Sequence, residues 1–273
     1  MYVFVCIVAA LSLAACASEE TGSEAHDDGH VVHWGYDADD GPDRWASMDP
    51  DWRLCAAGRE QSPIDLANAA EIELPAAKID TPSGQEVEVL NQAGVIDALD
   101  NGHTIQINTA TGETMTVGDK TYALVQFHFH APSEHTVDGV HFPMEMHFVH
   151  QADDGALAVV GVLVAEGAPN AGIAPLWAQI AEAPGTAATI RMPADFDEHV
   201  FTGGVTGIYH YSGSFTSPPC SEGVNWYIRK TPTELSKEQI AEFTEVYDHN
   251  NRSVQALNER TLYFDENPSL TVY

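Results

Sequence analysis

The run Gln126-Phe127-His128-Phe129-His130 alternates polar and aromatic side chains. A period of two belongs to a strand, on which residues two apart point to the same face. Gln126, His128 and His130 therefore share one face, and Phe127 and Phe129 pack on the other. Two imidazoles so placed lie roughly 6–7 Å apart along the strand and can converge on one zinc ion. By itself this pair also fits two surface or core histidines. A second run, Met144-Glu145-Met146-His147-Phe148-Val149-His150, sharpens the reading. Glu145, His147 and Val149 share a face there, and a neighbouring position beside the first run would make His147 a third ligand. Three histidines leave the fourth tetrahedral position open to water, as at a catalytic zinc. A ligating imidazole needs an acceptor at its second nitrogen. Gln126 and Glu145 each stand two residues before a ligand on its own face and can supply one. His150 has the opposite parity and is not expected to ligate. His135 and His141 fall in or beside a loop and read as structural or solvated.

Strand-like runs of this kind dominate the chain: Glu86–Asn91, Thr104–Asn108, Glu113–Val117, Tyr122–His130, Met144–His150, Leu157–Val164, Val205–Tyr211 and Val224–Arg229. Helical signals are few. Ser236 to Gln239 reads as a capping box, followed by Ile240, Phe243 and Tyr247 on one face. A second short helix is expected over Ile173–Ala181. With neither a repeat nor a second linker in 273 residues, the expectation is a mainly β (α+β) single domain with short peripheral helices.

Residues Tyr2 to Ala15 are apolar and uncharged. At about 14 residues the run is short for a bilayer span and fits a signal-peptide core. It ends in Leu13-Ala14-Ala15-Cys16, which resembles a bacterial lipobox, although neither Lys nor Arg precedes the run. The expectation is a signal peptide over 1–16, an exported protein in the periplasm or cell envelope, and lipidation at Cys16; ordinary cleavage without lipid is the alternative. Residues 17–30 are small, polar and acidic, so 17–32 reads as a flexible tether, with the folded domain over 33–273; His26 and His30 in the tether read as solvated. Of the four cysteines, Cys6 lies in the apolar run and Cys16 in the lipobox. Cys55 and Cys220 remain, and in an exported protein a disulfide is the default. The 41 acidic residues against 11 basic ones give a formal charge of −30, which repels nucleic acid and anionic membranes.

The chain resembles the α-class carbonic anhydrases. FHFHAPSEHTVDG (from Phe127) followed by EMHFVH (from Glu145) is similar to the zinc-site signature of that family. His33-Trp34-Gly35-Tyr36, Gln61-Ser62-Pro63-Ile64-Asp65 and Asn101-Gly102-His103 match further family segments. So do Tyr211 to Cys220, Val224-Asn225-Trp226 and Asn250 to Arg252, all in family order. The resemblance covers roughly residues 33–265. It implies a large, twisted, mostly antiparallel central sheet and the reversible hydration of carbon dioxide to bicarbonate by zinc-bound hydroxide. It implies Zn2+ on His128, His130 and His147. Thr216 would be the gatekeeper that orients the nucleophile and donates its own proton to Glu134. Val149, Val159, Phe215, Ser217 and Trp226 would line the substrate pocket. His103 would shuttle protons; outside that resemblance, the same tripeptide reads as an exposed turn histidine. Cys55 and Cys220 match a disulfide of exported members. Anions and sulfonamides are the expected inhibitors, and the resemblance admits a homodimer. Two departures from the common animal pattern appear: Ala131-Pro132 replaces a Trp-Gly pair, and Ser217 replaces a second threonine.

Two other readings compete. His128-x-His130-x3-Glu134 fits part of the cupin metal motif, but Tyr122 and His141 stand where that motif has glycines. The other is an inactive, anhydrase-like binding domain; such proteins lose a ligand, and here every ligand type is present.

Overall fold

A computed structural model describes residues 32–80, 86–91, 103–109, 113–180, 187–191 and 207–272. The expected signal peptide, most of the expected tether, Cys6, Cys16, His26, His30, Asn101 and Gly102 lie outside the described residues, and no helix among the described ones is long and apolar enough to cross a membrane.

Strands account for most of the regular structure. They are β1 (Ala70–Glu71), β2 (Ala77–Asp80), β3 (Glu86–Asn91), β4 (Ile105–Thr109), β5 (Thr114–Val117), β6 (Lys120–His130), β7 (Thr136–Val137), β8 (Val140–His141), β9 (Met144–Gln151), β10 (Leu157–Glu166), β11 (Ala187–Arg191), β12 (Ile208–Ser214), β13 (Glu222–Leu235), β14 (Tyr263–Asp265) and β15 (Leu270–Val272). Thirteen of them form one sheet, with the path β1-β14-β12-β13-β10-β9-β6-β4-β3-β11 and with β2, β5 and β15 attached beside it. Most neighbours are antiparallel. The exceptions include the long parallel pair β10·β13, which the expected antiparallel sheet did not specify.

The middle of the sheet is buried on both sides. Seven of the eight residues of β9 are buried, so its alternation separates two cores rather than a core from solvent. On one face Phe127, Phe129, Met146, Phe148, Val162 and Val164 pack under the helices. On the other, Val149, Val159, Leu163 and Trp226 pack with Ile64, Leu66 and Tyr211. The register aligns Gln106 with His128, His128 with His147 and His147 with Gly161 across four strands.

The helices are short, as the sequence implies. α1 (Trp45–Met48) and α2 (Leu54–Ala57) carry the N-terminal segment, and α3 (Ala174–Ile180) and α4 (Lys237–Thr244) cover the Phe127 face. The capping box of α4 forms: Ser236 Oγ accepts from Gln239 N, and Gln239 Oε1 accepts from Ser236 N. Such a cap is worth about 1 kcal/mol. It starts the helix so that Phe243 meets Trp177 and Phe129.

Some strand ends differ from the sequence reading. β13 runs on to Leu235, past the expected end at Arg229. Pro232 lies in this extension, where the pairing with β10 is irregular between Val162 and Val164, and such an irregularity accommodates a residue without an N–H. β12 begins at Ile208 rather than Val205, which lies outside the described residues, and extends through Ser214. α3 matches the expected second helix except at Ala181, also outside them. Cys55 and Cys220 form a disulfide across a separation of 165 residues, tying α2 to the loop after β12.

Candidate metal centre

His128 and His130 extend from one face of β6, and β9 brings His147 directly opposite His128. Ring centroids are 4.9 Å apart for His128 and His130, 5.3 Å for His128 and His147, and 4.6 Å for His130 and His147. One nitrogen from each ring lies within 4.8 Å of the others.

The outer nitrogens decide which atoms face inward. His128 Nδ1 donates to Gln126 Oε1 at 2.8 Å, and His147 Nε2 donates to Glu145 Oε1 at 3.0 Å. His130 Nδ1 donates to the backbone carbonyl of Asn250 at 2.6 Å. Each ring keeps one nitrogen for the centre: Nε2 of His128, Nε2 of His130 and Nδ1 of His147. His130 Nε2 is buried without a hydrogen-bond partner among the described residues. Three inward imidazole nitrogens, each ring oriented from behind, fit a zinc ion that keeps its fourth position open.

Burial pushes His128 well below the ordinary imidazole range and His130 below it, which favours the neutral, ligating form. For His147 burial acts the same way, but the Glu145 and Glu134 carboxylates outweigh it and raise that ring. Burial would raise Glu145; His135 and His147 overcome it and hold its carboxyl well below the usual carboxylate range.

Glu145 is the hub behind the site. Its Oε1 accepts from His147 and, at 2.7 Å, from His135 Nδ1. Its Oε2 accepts from the backbone N–H groups of Glu134 and His135. His135 Nε2 lies 2.7 Å from the Tyr211 hydroxyl, which donates to Ser62 Oγ. His135, Glu145 and His147 thus also converge, but as a hydrogen-bonded support for the His147 ring. Gly161 leaves room for that hub, since a Cβ there would stand 3.0 Å from Glu145 Oε1 and 3.2 Å from Ile228 Cγ1. His150 faces away and donates from Nδ1 to the Phe148 carbonyl at 2.9 Å, and His141 donates to the Ser133 carbonyl at 2.6 Å.

A cleft of about 460 Å³ opens over the imidazoles. Thr104, Gln106 and Gln126 line it on one side; Val149, Val159, Phe215 and Trp226 line the other, with Thr216 and Ser217 beside them. Glu134 is fully buried. Its Oε1 accepts from Arg252 N at 2.8 Å. Its Oε2 has no hydrogen-bond partner, Thr216 included, and lies 3.6 Å from His130 Nε2 and 3.8 Å from His147 Nδ1. His103 is not among the cleft-lining residues. Its Nε2 donates to the Trp34 carbonyl at 2.6 Å, its ring packs against Trp34, Tyr36 and His33, and burial lowers it from the ordinary imidazole value.

Sequence reasoning did not find the supports from Asn250, Arg252 and His135. Two of these are backbone groups, which leave no mark in a sequence. His135 had a signal, its place one residue after Glu134, but no parity rule applies in a loop.

Comparison with known proteins places these features in a family context. The sequence profile of the eukaryotic-type carbonic anhydrases matches residues 40–266. The chain is 39% identical to a carbonic anhydrase of Pectobacterium atrosepticum over 254 residues, 93% of this chain and 96% of the relative. It is 36% identical to one from Neisseria gonorrhoeae, over 93% and 94% of the two chains. Among solved structures it is similar to the α-carbonic anhydrase of Thermovibrio ammonificans bound to the inhibitor sulfanilamide. There the identity is 39% and the TM-score 0.76, over 85% of this chain and 99% of that one. Nothing in these matches favours a cupin or an inactive binding domain.

Proposed function

Because the chain belongs to the eukaryotic-type (α) carbonic anhydrase family and catalyses the reversible hydration of carbon dioxide to bicarbonate, we propose that it does so with a Zn2+ held by His128, His130 and His147. The observation that carries this reading is the division of ring nitrogens, three held from behind and three turned inward. A Zn2+ held there lowers the pKa of water to about 7 and so supplies a nucleophile at neutral pH.

The chain's own residues do the rest. The Thr216 hydroxyl accepts a hydrogen bond from the attacking oxygen and donates its own proton to Glu134 Oε2, the buried oxygen with an unused lone pair. That fixes the direction of attack, which is catalysis by positioning. Val149, Val159, Phe215 and Trp226 offer carbon dioxide an apolar wall. Such a wall suits a neutral linear molecule and holds charged bicarbonate weakly, so product leaves. Each turnover releases one proton. His103 carries it to buffer, because imidazole titrates near neutral pH; to do so its ring must leave the Trp34 carbonyl. Anions and sulfonamides bind in the same cleft, a reading supported by the sulfanilamide complex of the relative.

The protein is exported to the periplasm or cell envelope and is anchored by lipid at Cys16. The apolar run ending in Leu13-Ala14-Ala15-Cys16 and the Cys55–Cys220 bridge support this reading, since disulfides persist in oxidising compartments.

His147→Ala tests the ligand set. Its zinc content at saturating metal should fall well below one per chain, and hydration should be lost with it. Full zinc occupancy with near-normal hydration would remove His147 from the site.

A further inference from the structure

Arg252 carries a buried guanidinium that the reaction above does not use. The side chain is 1% exposed, and it sits in a stretch from Asn250 onward without helix or strand. A backbone outside helix and sheet has no ladder to fix it, so side-chain bonds must hold it. The guanidinium supplies them. Nη1 donates to Gln61 Oε1 at 2.9 Å and to the Ser62 carbonyl at 2.8 Å, and Nη2 donates to the Cys55 carbonyl at 2.8 Å. Its central carbon stands 5.7 Å from the Trp45 ring centroid. Gln61 donates in turn to the Cys220 carbonyl at 3.0 Å, so both halves of the disulfide touch the clamp. At the other end of the same residue, the Arg252 backbone N–H donates to Glu134 Oε1 at 2.8 Å.

We infer that Arg252 is a positioning residue for Glu134: the clamped guanidinium holds the residue's own N–H on Oε1 and so keeps Oε2 turned toward the imidazole triad. The inference rests on the reading that Glu134 fixes the Thr216 hydroxyl. The geometry agrees with it. Oε2 lies 3.6 Å from His130 Nε2 and 3.8 Å from His147 Nδ1, which is the orientation the clamp enforces. A carboxylate with one protein hydrogen bond has little else to stop it rotating. A buried cation is also a costly choice where only packing is wanted. Burial pulls the guanidinium down to about 10, and the Glu134 charge is foremost among the groups opposing that pull. Lysine cannot replace it, because an ammonium group lacks the planar fork that reaches three acceptors from two nitrogens.

The test is a double-mutant cycle on the zinc-loaded enzyme, comparing the parent, Arg252→Lys, Glu134→Gln and the double variant. Zinc per chain, kcat/KM for hydration and kcat in dilute buffer are measured for each. Arg252→Lys should keep its zinc and lose about tenfold in kcat/KM, the scale of a misplaced positioning contact. In dilute buffer, where proton export limits turnover, kcat should fall less. Glu134→Gln should lose at least as much, and the double variant should be no slower than Glu134→Gln alone, because both changes break one device. Multiplying losses would overturn the inference and leave the role of Glu134 standing. A Glu134→Gln enzyme as fast as the parent would instead overturn the reading of Glu134 on which the inference rests. If Arg252→Lys does not fold, Gln61→Ala takes its place in the cycle with the same two outcomes.

Discussion

Nε2 of His147 donates to Glu145 Oε1 at 3.0 Å, and this contact turns Nδ1 of that ring, rather than Nε2, toward His128 and His130. Because Glu145 accepts four hydrogen bonds, an amide in its place must set an N–H donor against another donor. Glu145→Gln should therefore fold and bind zinc roughly 10–100-fold more weakly, the usual cost of losing such a support. Competition with a chelator of known affinity measures this. Parent-like affinity would show that the ring is held in place by packing alone.

The Cys55–Cys220 bridge closes a loop with a sequence separation of 165. The chain-entropy model assigns such a loop on the order of 5 kcal/mol, an upper figure. Reduction should lower the melting temperature. It should also slow hydration, since the bridge braces the loop that carries Thr216 through the Gln61 contact to the Cys220 carbonyl. Thermal melts and rates with and without reductant check both parts. An unchanged melting temperature after complete reduction would contradict the bracing role.

His150 is buried in β9, and burial pulls its imidazole down to about 4. A folded value below the unfolded one means that protonation favours unfolding. The resulting stability, about 3 kcal/mol, is present above the ordinary imidazole range and is lost as pH falls from about 6.5 toward 4. His150→Gln should lose less stability than the parent between pH 7 and pH 5. Denaturant unfolding at the two pH values is the measurement, and parallel losses would remove His150 as a source of acid sensitivity.

If His103 exports the proton, it acts after carbon dioxide has reacted. His103→Ala should lower kcat in dilute buffer and spare kcat/KM. Added imidazole should restore much of the lost kcat at matched pH and ionic strength. An unchanged kcat in dilute buffer would leave His103 as a packing residue of the Trp34 and Tyr36 cluster. An equal fall in both constants would point to damage at the metal centre.

The fold and much of the site were legible where a period of two could be read. The alternation in Gln126–His130 and Met144–His150 sorted the three converging imidazoles from the core, because both runs are central strands with each face committed to a different environment. The α4 start was legible because its capping box is local. What could not be read is non-local or made by the backbone. The parallel β10·β13 pairing depends on which strands meet. The Asn250 carbonyl behind His130 and the Arg252 N–H on Glu134 are groups that every residue type carries. The run of β13 beyond Arg229 depends on an irregular pairing with another strand, which the sequence of β13 alone does not carry.

Hydration should depend on one zinc at the three-imidazole centre. The measurement is the initial rate of carbon dioxide hydration, taken with zinc content on the same sample before chelation, after complete removal of metal, and after return of one equivalent of Zn2+. About one zinc per chain, loss of catalysis with the metal, and recovery on adding it back are expected. Undiminished hydration by the metal-free protein, or a fully zinc-loaded protein that does not hydrate carbon dioxide, would contradict that dependence.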